Sequence, residues 1–236
     1  MKTVIITGAT KGIGLETSLR LHKKGWQVVG LARNSQANFP GELFLCDLSD
    51  LKQTETMLKA VSKKYQADAV INNVGLVLPQ LFGEVDFDSL QAVYNLNVRT
   101  ALQVTQHFLS DMRAKAWGRI VNVVSRAIYG AKKRTSYSAA KSALVGFTKT
   151  WAVELAKEGI TVNAIAPGPV ETESFRQNHP RGSEAEQNVL NHIPMGRIGK
   201  PEEIAVGIEF LLAEEAGFIT GQVISIDGGG SLITRA

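Results

Sequence analysis

The chain has 236 residues, of which 44% are hydrophobic and 20% are charged, and it carries a formal net charge of +4 at pH 7. A chain of this length and composition can bury one sizeable core, and an α/β domain of this size is commonly a single unit. The basic residues are scattered and form no stripe with aromatic side chains, so we expect no nucleic-acid partner.

Cysteine and histidine usage argues against disulfide and metal chemistry. Cys46 is the single cysteine and cannot form an internal disulfide, which favours a reducing compartment. The four histidines are far apart and match no metal-binding spacing. The apolar run near the start is too short for a signal peptide, and no run approaches membrane-spanning length. We therefore expect a cytoplasmic protein with no metal and no membrane partner.

Short β-branched runs alternate with helical patterns from one end of the chain to the other. Strands are predicted, in chain order, at residues 3–7, 27–31, 42–46, 68–72, 119–125, 160–167 and 221–227. Helices are predicted at residues 13–25, 51–65, 88–114, 136–158 and 201–216. The link between the second and third strands is too short for a full helix. Strands this apolar are buried on both faces, which indicates a parallel sheet covered by helices.

The predicted fold class is therefore α/β, as a three-layer doubly wound Rossmann fold with a seven-stranded parallel sheet and helices on both faces. Residues 1–236 are expected to form a single dinucleotide-binding domain. One long irregular stretch, residues 168–200, follows the carboxyl end of the sixth strand, where ligands bind in such sheets. Because a connection of that length is usually functional or disordered, we predict a substrate lid there. Residues 76–82 and 126–130 are expected to line the same pocket.

The segment TGATKGIG, residues 7–14, joins the first strand to the first helix. Gly8 permits a tight turn, while Gly12 and Gly14 let the backbone approach a ligand. The helix then begins with free N–H groups and a positive dipole end, which suit a pyrophosphate. Thr17 stands where the strict G-x-G-x-x-G fingerprint has its last glycine, so a glycine-rich turn without a ligand is the alternative interpretation.

The end of the second predicted strand indicates which cofactor would bind. A cofactor without a 2′-phosphate is usually held there by a carboxylate, but the sequence has Ala32 followed by Arg33. Lys11 adds a cation in the glycine loop. The missing carboxylate and the guanidinium predict a cofactor that carries a 2′-phosphate, NADP(H).

The segment TSYSAAKSALVGF, residues 135–147, places Tyr137 and Lys141 one helical turn apart. Taken alone, the pair could be a packed tyrosine and a snorkelling lysine. The functional interpretation is that the ammonium favours the phenolate and brings a pKa of about 10 towards the working pH, which makes an acid/base group. The basic run just before it, Lys132 to Arg134, is interpreted as a solvated loop.

Together these motifs resemble the short-chain dehydrogenase/reductase family over almost the whole chain. The matching segments are TGATKGIG, CDLSD (46–50), NNVG (72–75), NLNV (95–98), Y-x-x-x-K, NAIAPGPVET (163–172) and DGGG (227–230). Ser125 lies twelve residues before the tyrosine, as the resemblance requires. Two departures are Val74, which replaces the usual alanine, and the short link between the second and third strands.

The resemblance implies a role for each member of a catalytic set. Tyr137 would transfer the proton and Ser125 would donate a hydrogen bond to the substrate oxygen. Lys141 would also hold the nicotinamide ribose. Asn97 would interrupt its helix and hold a water that refills the proton relay. Taken alone, the serine could be a strand-end cap and the asparagine a polar helix position.

The resemblance also implies a set of cofactor-binding residues, in which Asp47 would bond the adenine amino group. The full set is Gly8, Thr10, Lys11, Gly12, Ile13, Gly14, Arg33, Asp47, Leu48, Asn73, Val74, Gly75, Tyr137, Lys141, Pro167, Gly168, Val170 and Thr172.

Within the family the chain is most similar to the 3-oxoacyl-[acyl-carrier-protein] reductases, which implies NADPH-dependent reduction of a carbonyl or acyl-thioester substrate. Reductases that accept a carrier usually have basic side chains just before the GRI and GI segments, where this chain has Trp117 and Glu158. Lys115 and Lys157 lie further back. The alternatives are a general ketone or secondary-alcohol dehydrogenase, a cyclic diol dehydrogenase, and a non-catalytic NADP-binding regulator. A homotetramer built on the long helices, the last helix and the last strand is also implied.

Overall fold

Seven strands form one parallel sheet in the computed structural model, which describes residues 1–232; the last four residues of the predicted domain lie outside the described part. The strands are β1 (Thr3–Thr7), β2 (Gln27–Ala32), β3 (Glu42–Leu45), β4 (Ala69–Asn72), β5 (Gly118–Val123), β6 (Ile160–Pro167) and β7 (Val223–Ile226). Their order is β3-β2-β1-β4-β5-β6-β7. This order confirms the predicted doubly wound fold, in which the chain leaves the centre in both directions.

Eight α-helices lie in the described part of the chain, and α1, α2, α4, α5 and α8 cover the two faces of the sheet. They are α1 (Gly12–Lys23), α2 (Leu51–Ser62), α3 (Phe87–Tyr94), α4 (Thr100–Ala114), α5 (Thr135–Leu155), α6 (Glu173–Asn178), α7 (Glu184–Leu190) and α8 (Pro201–Leu212). Even α5, at 21 residues, lacks the apolar character that a membrane crossing needs, and the same holds for every other helix within residues 1–232.

Alternate residues of the central strands point to opposite faces and so build two cores. Ile5 of β1 packs in the core under α2, α4 and α5, where Phe108 is the largest fully buried side chain. Val4 and Ile6 pack in the core under α1 and α8 together with Leu21. Burial on both faces explains why these strands read as continuous apolar runs in the sequence.

Several predicted boundaries were wrong in detail. The helix predicted at residues 88–114 is divided by a π-helical turn at Asn95–Arg99. The strand predicted to end at Ser125 ends at Val123, and the helix predicted to reach residue 216 ends at Leu212. The predicted absence of a helix between the second and third strands is confirmed.

The stretch predicted as irregular, residues 168–200, contains α6 and α7. Each helix begins at a hydroxyl cap: Thr172 accepts from the N–H of Phe175 at 3.1 Å, and Ser183 accepts from the N–H of Glu186 at 3.2 Å. Such caps satisfy N–H groups that a short helix otherwise leaves free. Thr172 and Ser183 are therefore the local sequence signals for these two helices. The helices were not predicted because they are too short to show a long apolar periodicity.

A chain of buried polar side chains ties α4 and α5 to the centre of the sheet. The Nδ2 of Asn72 donates to Thr105 of α4 at 2.9 Å and to the Oδ1 of Asn122 on β5 at 2.8 Å. The Nδ2 of Asn122 donates to Thr148 of α5 at 2.9 Å. Because these groups are buried, the bonds to Thr105 and Thr148 each fix the position of a helix, and the bond between the two asparagines joins β4 to β5. The network therefore sets where α5 lies on the sheet.

We predict that Asn122→Ala lowers the free energy of unfolding by about 2–4 kcal/mol, because two hydrogen bonds are lost and their partners stay buried. Urea denaturation would measure the change. Gln106→Ala, on the exposed side of α4, is the matched control and should change stability little. A loss in Asn122→Ala no larger than that of the control would contradict the structural role of the network.

Candidate active site

The glycine loop after β1 packs closely against the segment after β4, at the point where the strand order reverses. Gly8 has a φ of +66°, and a carbon added to it would lie 3.1 Å from the Cα of Val74. A carbon added to Gly14 would lie 2.2 Å from the carbonyl oxygen of Gly8. Both positions therefore require glycine for the loop to close on itself and on β4.

The start of α1 is suited to a phosphate group. Its N-cap residue, Lys11, makes no side-chain cap hydrogen bond, and the first turn holds no acidic residue. The N–H groups of Gly12, Ile13 and Gly14 are therefore left without the usual side-chain acceptor, while Thr10 beside them is buried. The residues present fit the pyrophosphate of a dinucleotide, which would supply those acceptors.

The predicted cofactor residue Asn73 uses its side chain to hold the two loops together. Its Nδ2 donates to the carbonyl oxygens of Thr7 at 3.0 Å and Gly8 at 3.1 Å. In return, the Oγ1 of Thr7 accepts from the N–H groups of Asn73 at 2.9 Å and Val74 at 3.0 Å. Sequence analysis missed the threonine, whose signal was its place between a buried strand and the first glycine.

The residues predicted for the adenosine end lie beside β2 and β3. Asp47 accepts from the N–H of Ser49 at 2.9 Å and from its hydroxyl at 2.7 Å, and these bonds hold the pKa of Asp47 below its usual value. The charges of Arg33 and Arg99 lower it further. Arg33 is exposed and forms no ion pair within residues 1–232.

Leu48, the residue after Asp47, connects the segment that follows β3 to α4. Its side chain is buried, and its carbonyl oxygen accepts from the hydroxyl of Thr100 at 2.9 Å. The same oxygen accepts from the guanidinium of Arg99 at 2.9 Å. The backbone of the segment that follows β3 is therefore held rigidly next to Asp47.

The predicted lid lies against the glycine loop. A carbon added to Gly12 would lie 2.9 Å from the Cγ2 of Thr172, and the Nζ of Lys11 lies 2.7 Å from a carboxylate oxygen of Glu173. Both partners of this ion pair are mostly exposed, so it stabilises the contact only weakly. Lys11, predicted to bind the cofactor, thus also joins the loop to α6.

The two ends of the lid are joined to each other and to the sheet. Val170 forms a parallel bridge with Gly199, which closes the segment into a loop. Pro167 ends β6, and a carbon added to Gly168 would lie 2.7 Å from the Cα of Asp227. Glycine at 168 therefore lets the lid leave the sheet directly across the end of β7.

Ser125 and Tyr137 meet just beyond the carboxyl end of β5. The serine Oγ accepts from the N–H of Ala127 at 3.2 Å, so it caps the 3₁₀ turn Arg126–Tyr129. Burial raises the pKa of Tyr137, while a hydrogen bond with Ser125 and the charge of Arg134 oppose that rise. The direction is opposite to the expectation that Lys141 brings this pKa down, and the tyrosine hydroxyl is therefore protonated at pH 7.

Lys141 is 2% exposed, and its Nζ donates to the carbonyl oxygen of Val123 at 2.8 Å. The Nζ lies 5.7 Å from the centre of the Tyr137 ring. Burial lowers the pKa of Lys141 to about 8, so most of the population is charged at pH 7. The ammonium is hydrogen-bonded to the end of β5, and burial of the phenol is the largest cause of the shift in the Tyr137 pKa.

Asn97 lies in the π-helical turn, and it interrupts the helix as the resemblance implied. Its Nδ2 donates to the carbonyl oxygens of Val93 at 2.8 Å and Leu76 at 3.0 Å. Its Oδ1 is buried with no partner in the described residues. A carbon added to Gly75 would lie 3.0 Å from that oxygen and 3.5 Å from the Nζ of Lys141. The missing side chain at 75 thus leaves room between an acceptor and a cation, which suits a hydroxyl group or a water.

Arg126 makes a connection that sequence analysis did not predict. Its Nη1 donates to the carbonyl oxygen of His192 at 3.2 Å. A carbon added to Gly230 would lie 2.1 Å from the same Nη1. The residue after Ser125 therefore holds the end of the lid and the C-terminal loop in place. Gly230, the third glycine of DGGG, was the available signal. The space that its missing side chain leaves is filled by Arg126, which lies 104 residues earlier in the chain.

Comparison with known proteins gives likenesses that extend over nearly the whole chain. The sequence matches the family described as Enoyl-(Acyl carrier protein) reductase over residues 8–231. It is 37% identical over 242 residues to the 3-oxoacyl-[acyl-carrier-protein] reductase FabG of Thermotoga maritima, with 97% of each chain covered. It is 35% identical over 237 residues to the acetoacetyl-CoA reductase of Shinella zoogloeoides, covering 97% of this chain and 98% of that one. The solved structure of ElxO with NADP bound has a TM-score of 0.90 at 31% identity, covering 98% of this chain and 99% of that chain.

We predict that kcat/KM for the reduced nicotinamide cofactor is constant near neutral pH and falls as the pH rises above about 8, because Lys141 then loses its positive charge. Initial rates across a pH series would measure the profile. Lys141→Met should abolish this fall in kcat/KM at high pH, whereas Lys149→Met, on the exposed side of α5, should retain it. If kcat/KM of Lys141→Met fell at high pH as in the unmodified protein, the assignment of this fall to Lys141 would be contradicted.

Proposed function

Because the chain belongs to the short-chain dehydrogenase/reductase family, we propose that it reduces the keto group of a 3-oxoacyl thioester with NADPH. Membership makes it an NAD(P)-dependent oxidoreductase acting on CH–OH groups. The observation that carries the proposal is the meeting of Ser125, Tyr137 and Lys141 at the carboxyl edge of the sheet, next to an uncapped, glycine-lined helix start.

The proposed reaction needs a proton donor and a stabiliser of negative charge from the chain itself. A bound reduced nicotinamide supplies the hydride. Tyr137 donates its proton to the substrate oxygen, and its raised pKa keeps the hydroxyl protonated at neutral pH until the substrate is bound. Ser125 donates a hydrogen bond to the same oxygen, and Lys141 stabilises the phenolate that remains. Water held between Asn97 and Lys141 returns a proton to the tyrosine.

The preference for NADPH is supported by the charges at the end of β2. Arg33 is exposed and unpaired in the described residues, and Ala32 offers no carboxylate to repel a 2′-phosphate. Asp47 lies near enough to interact with Arg33, but its carboxylate is engaged by Ser49. The relative with NADP in its structure is consistent with the same choice.

The choice of thioester is supported by the two reductases among the relatives, one named for an acyl carrier protein and one for acetoacetyl-CoA. Near the positions where carrier-dependent reductases usually have basic side chains, two of the cations are already paired, whereas Lys157 is in no ion pair within residues 1–232. Lys115 lies 2.7 Å from Asp68, and Arg113 lies 2.6 Å from Glu158. This pairing favours a coenzyme A thioester, and it also keeps a general ketone reductase as the second candidate.

We also propose a homotetramer in the cytoplasm. Apolar side chains are exposed on the last helix and beyond it, at Val206, Phe210 and Phe218. Phe147 and Trp151 of α5 stack with ring centres 4.8 Å apart. Contact between copies through these surfaces would remove apolar area from water. A measurement of mass in solution tests the oligomer.

We predict that Tyr137→Phe lowers kcat by about 10²–10⁴-fold, because it removes the proton donor while keeping the ring. NADPH oxidation with acetoacetyl-CoA would measure the loss, and fluorescence titration should show that NADPH still binds. Tyr65→Phe is the control and should keep its activity, because the Tyr65 hydroxyl donates to Glu42 at the start of β3, on the opposite edge of the sheet. If Tyr137→Phe still reduced acetoacetyl-CoA at a substantial rate, the role of Tyr137 as proton donor would be refuted. If the unmodified protein reduced no member of a panel of thioesters and ketones, the proposed function would be refuted.

We predict that Arg33→Asp raises KM for NADPH by about tenfold or more, because the new carboxylate repels the 2′-phosphate. KM for NADH should rise little or fall. Lys63→Asp, at the exposed end of α2, controls for the change in net charge. The cofactor proposal fails if the unmodified protein already prefers NADH.

A further inference from the structure

The basic run Lys132, Lys133 and Arg134 is unpaired in the described residues. None of the three lies within 4.0 Å of a carboxylate of residues 1–232, although twelve ion pairs form there. Lys132 and Lys133 are exposed, and Arg134 is half-buried. Three adjacent unneutralised cations are a surface that attracts anions. The proposed reaction gives them no role.

The loop that carries these cations is held in a definite conformation. Lys133 has a φ of +60°, a region that residues other than glycine rarely occupy. Its carbonyl oxygen accepts from the N–H of Gln80 at 3.1 Å, and Gln80 also forms a parallel bridge with Arg134. The basic run is thus fastened to residues 76–82, which are predicted to line the substrate pocket.

Apolar side chains lie exposed on that neighbouring segment. Phe82 is 92% exposed and Leu81 is 47% exposed. The carboxylate of Asp86 on the same loop accepts from the N–H of Ser89 at 2.7 Å and from the Nε2 of Gln80 at 2.5 Å, which lowers its pKa to about 2. Its charge is therefore engaged within its own loop and forms no ion pair with the basic run.

The basic run is close to the reacting group along the chain. Arg134 precedes α5, whose first turn carries Tyr137. Five residues of chain can span at most about 18 Å, so the Cα of Lys132 lies within that distance of the Cα of Tyr137. A substrate whose keto group reaches the tyrosine, and which carries phosphates on a long arm, could place those phosphates on the run.

We propose that Lys132, Lys133 and Arg134, with Leu81 and Phe82 beside them, bind the phosphate-bearing arm of a coenzyme A thioester. This inference rests on the proposed function and names the part of the substrate that the surface recognises. Lysine and arginine bind phosphate through charge-assisted hydrogen bonds. Coenzyme A is favoured over an acidic carrier protein because Lys115, near Trp117, and Arg113, near Glu158, are already paired.

The test compares two thioesters with the same acyl group. Acetoacetyl-CoA carries phosphates, and acetoacetyl-N-acetylcysteamine does not. In Lys132→Gln/Lys133→Gln, KM for the CoA thioester should rise about tenfold, with kcat and the KM for the other thioester unchanged. Raising the salt should raise KM for the CoA thioester in the unmodified protein but not in the variant.

Two further variants keep the result interpretable. Lys133→Gly removes the side chain and relieves the positive φ, so it should fold at least as well while still raising KM for acetoacetyl-CoA. Lys157→Gln, exposed and near the GI segment, should change neither KM.

Equal effects on both thioesters, or no effect on either, would overturn the inference. So would a rise in KM confined to an acetoacetyl carrier protein. If the unmodified protein reduced neither thioester, the proposed function itself would have failed instead.

Discussion

The candidate site depends on burying the ammonium of Lys141 at the end of β5. A charge removed from water in this way is unfavourable unless a polar group compensates it, and the carbonyl oxygen of Val123 is the acceptor the structure provides. That contact fixes α5 against the strand, and the helix carries Tyr137 one turn before the lysine. Since Ser125 follows Val123 by two residues, the same contact brings the serine to the phenol.

Other contacts of the fold hold the carboxyl edge of the sheet rigid around the hydrogen bond between Lys141 and Val123. Asn72 and Asn122 link the two central strands to the helices on one face. Glycines at 8 and 14 let the first loop close onto the end of β4. The lid is fastened from two sides, by Glu173 at the glycine loop and by Arg126 at the turn after the serine. The groups proposed for phosphate recognition, proton transfer and substrate enclosure therefore lie on one edge of the sheet.

Features that depend on local periodicity could be predicted from the sequence. The fold class and the seven strands follow from short, continuous apolar runs that alternate with helical patterns, and the pairing of Tyr137 with Lys141 follows from a spacing of four residues. The interruption of the helix at Asn97 was predicted only from the resemblance, because the hydrogen bonds that accompany it, to Val93 and Leu76, depend on the fold. Contacts such as that of Arg126 with Gly230 join residues distant in the chain, and no local pattern encodes them. The direction of the Tyr137 pKa was missed for the same reason, since burial is a property of the folded site.

The most direct test of the account is a crystal structure with NADP⁺ and acetoacetyl-CoA bound, a pair that cannot react because both are oxidised. The account predicts that the Tyr137 hydroxyl lies within hydrogen-bond distance of the Ser125 hydroxyl and of the keto oxygen, with Lys141 beside the nicotinamide ribose. A complex in which the tyrosine hydroxyl points out of the cleft, or the keto oxygen is bonded by another side chain, would contradict it.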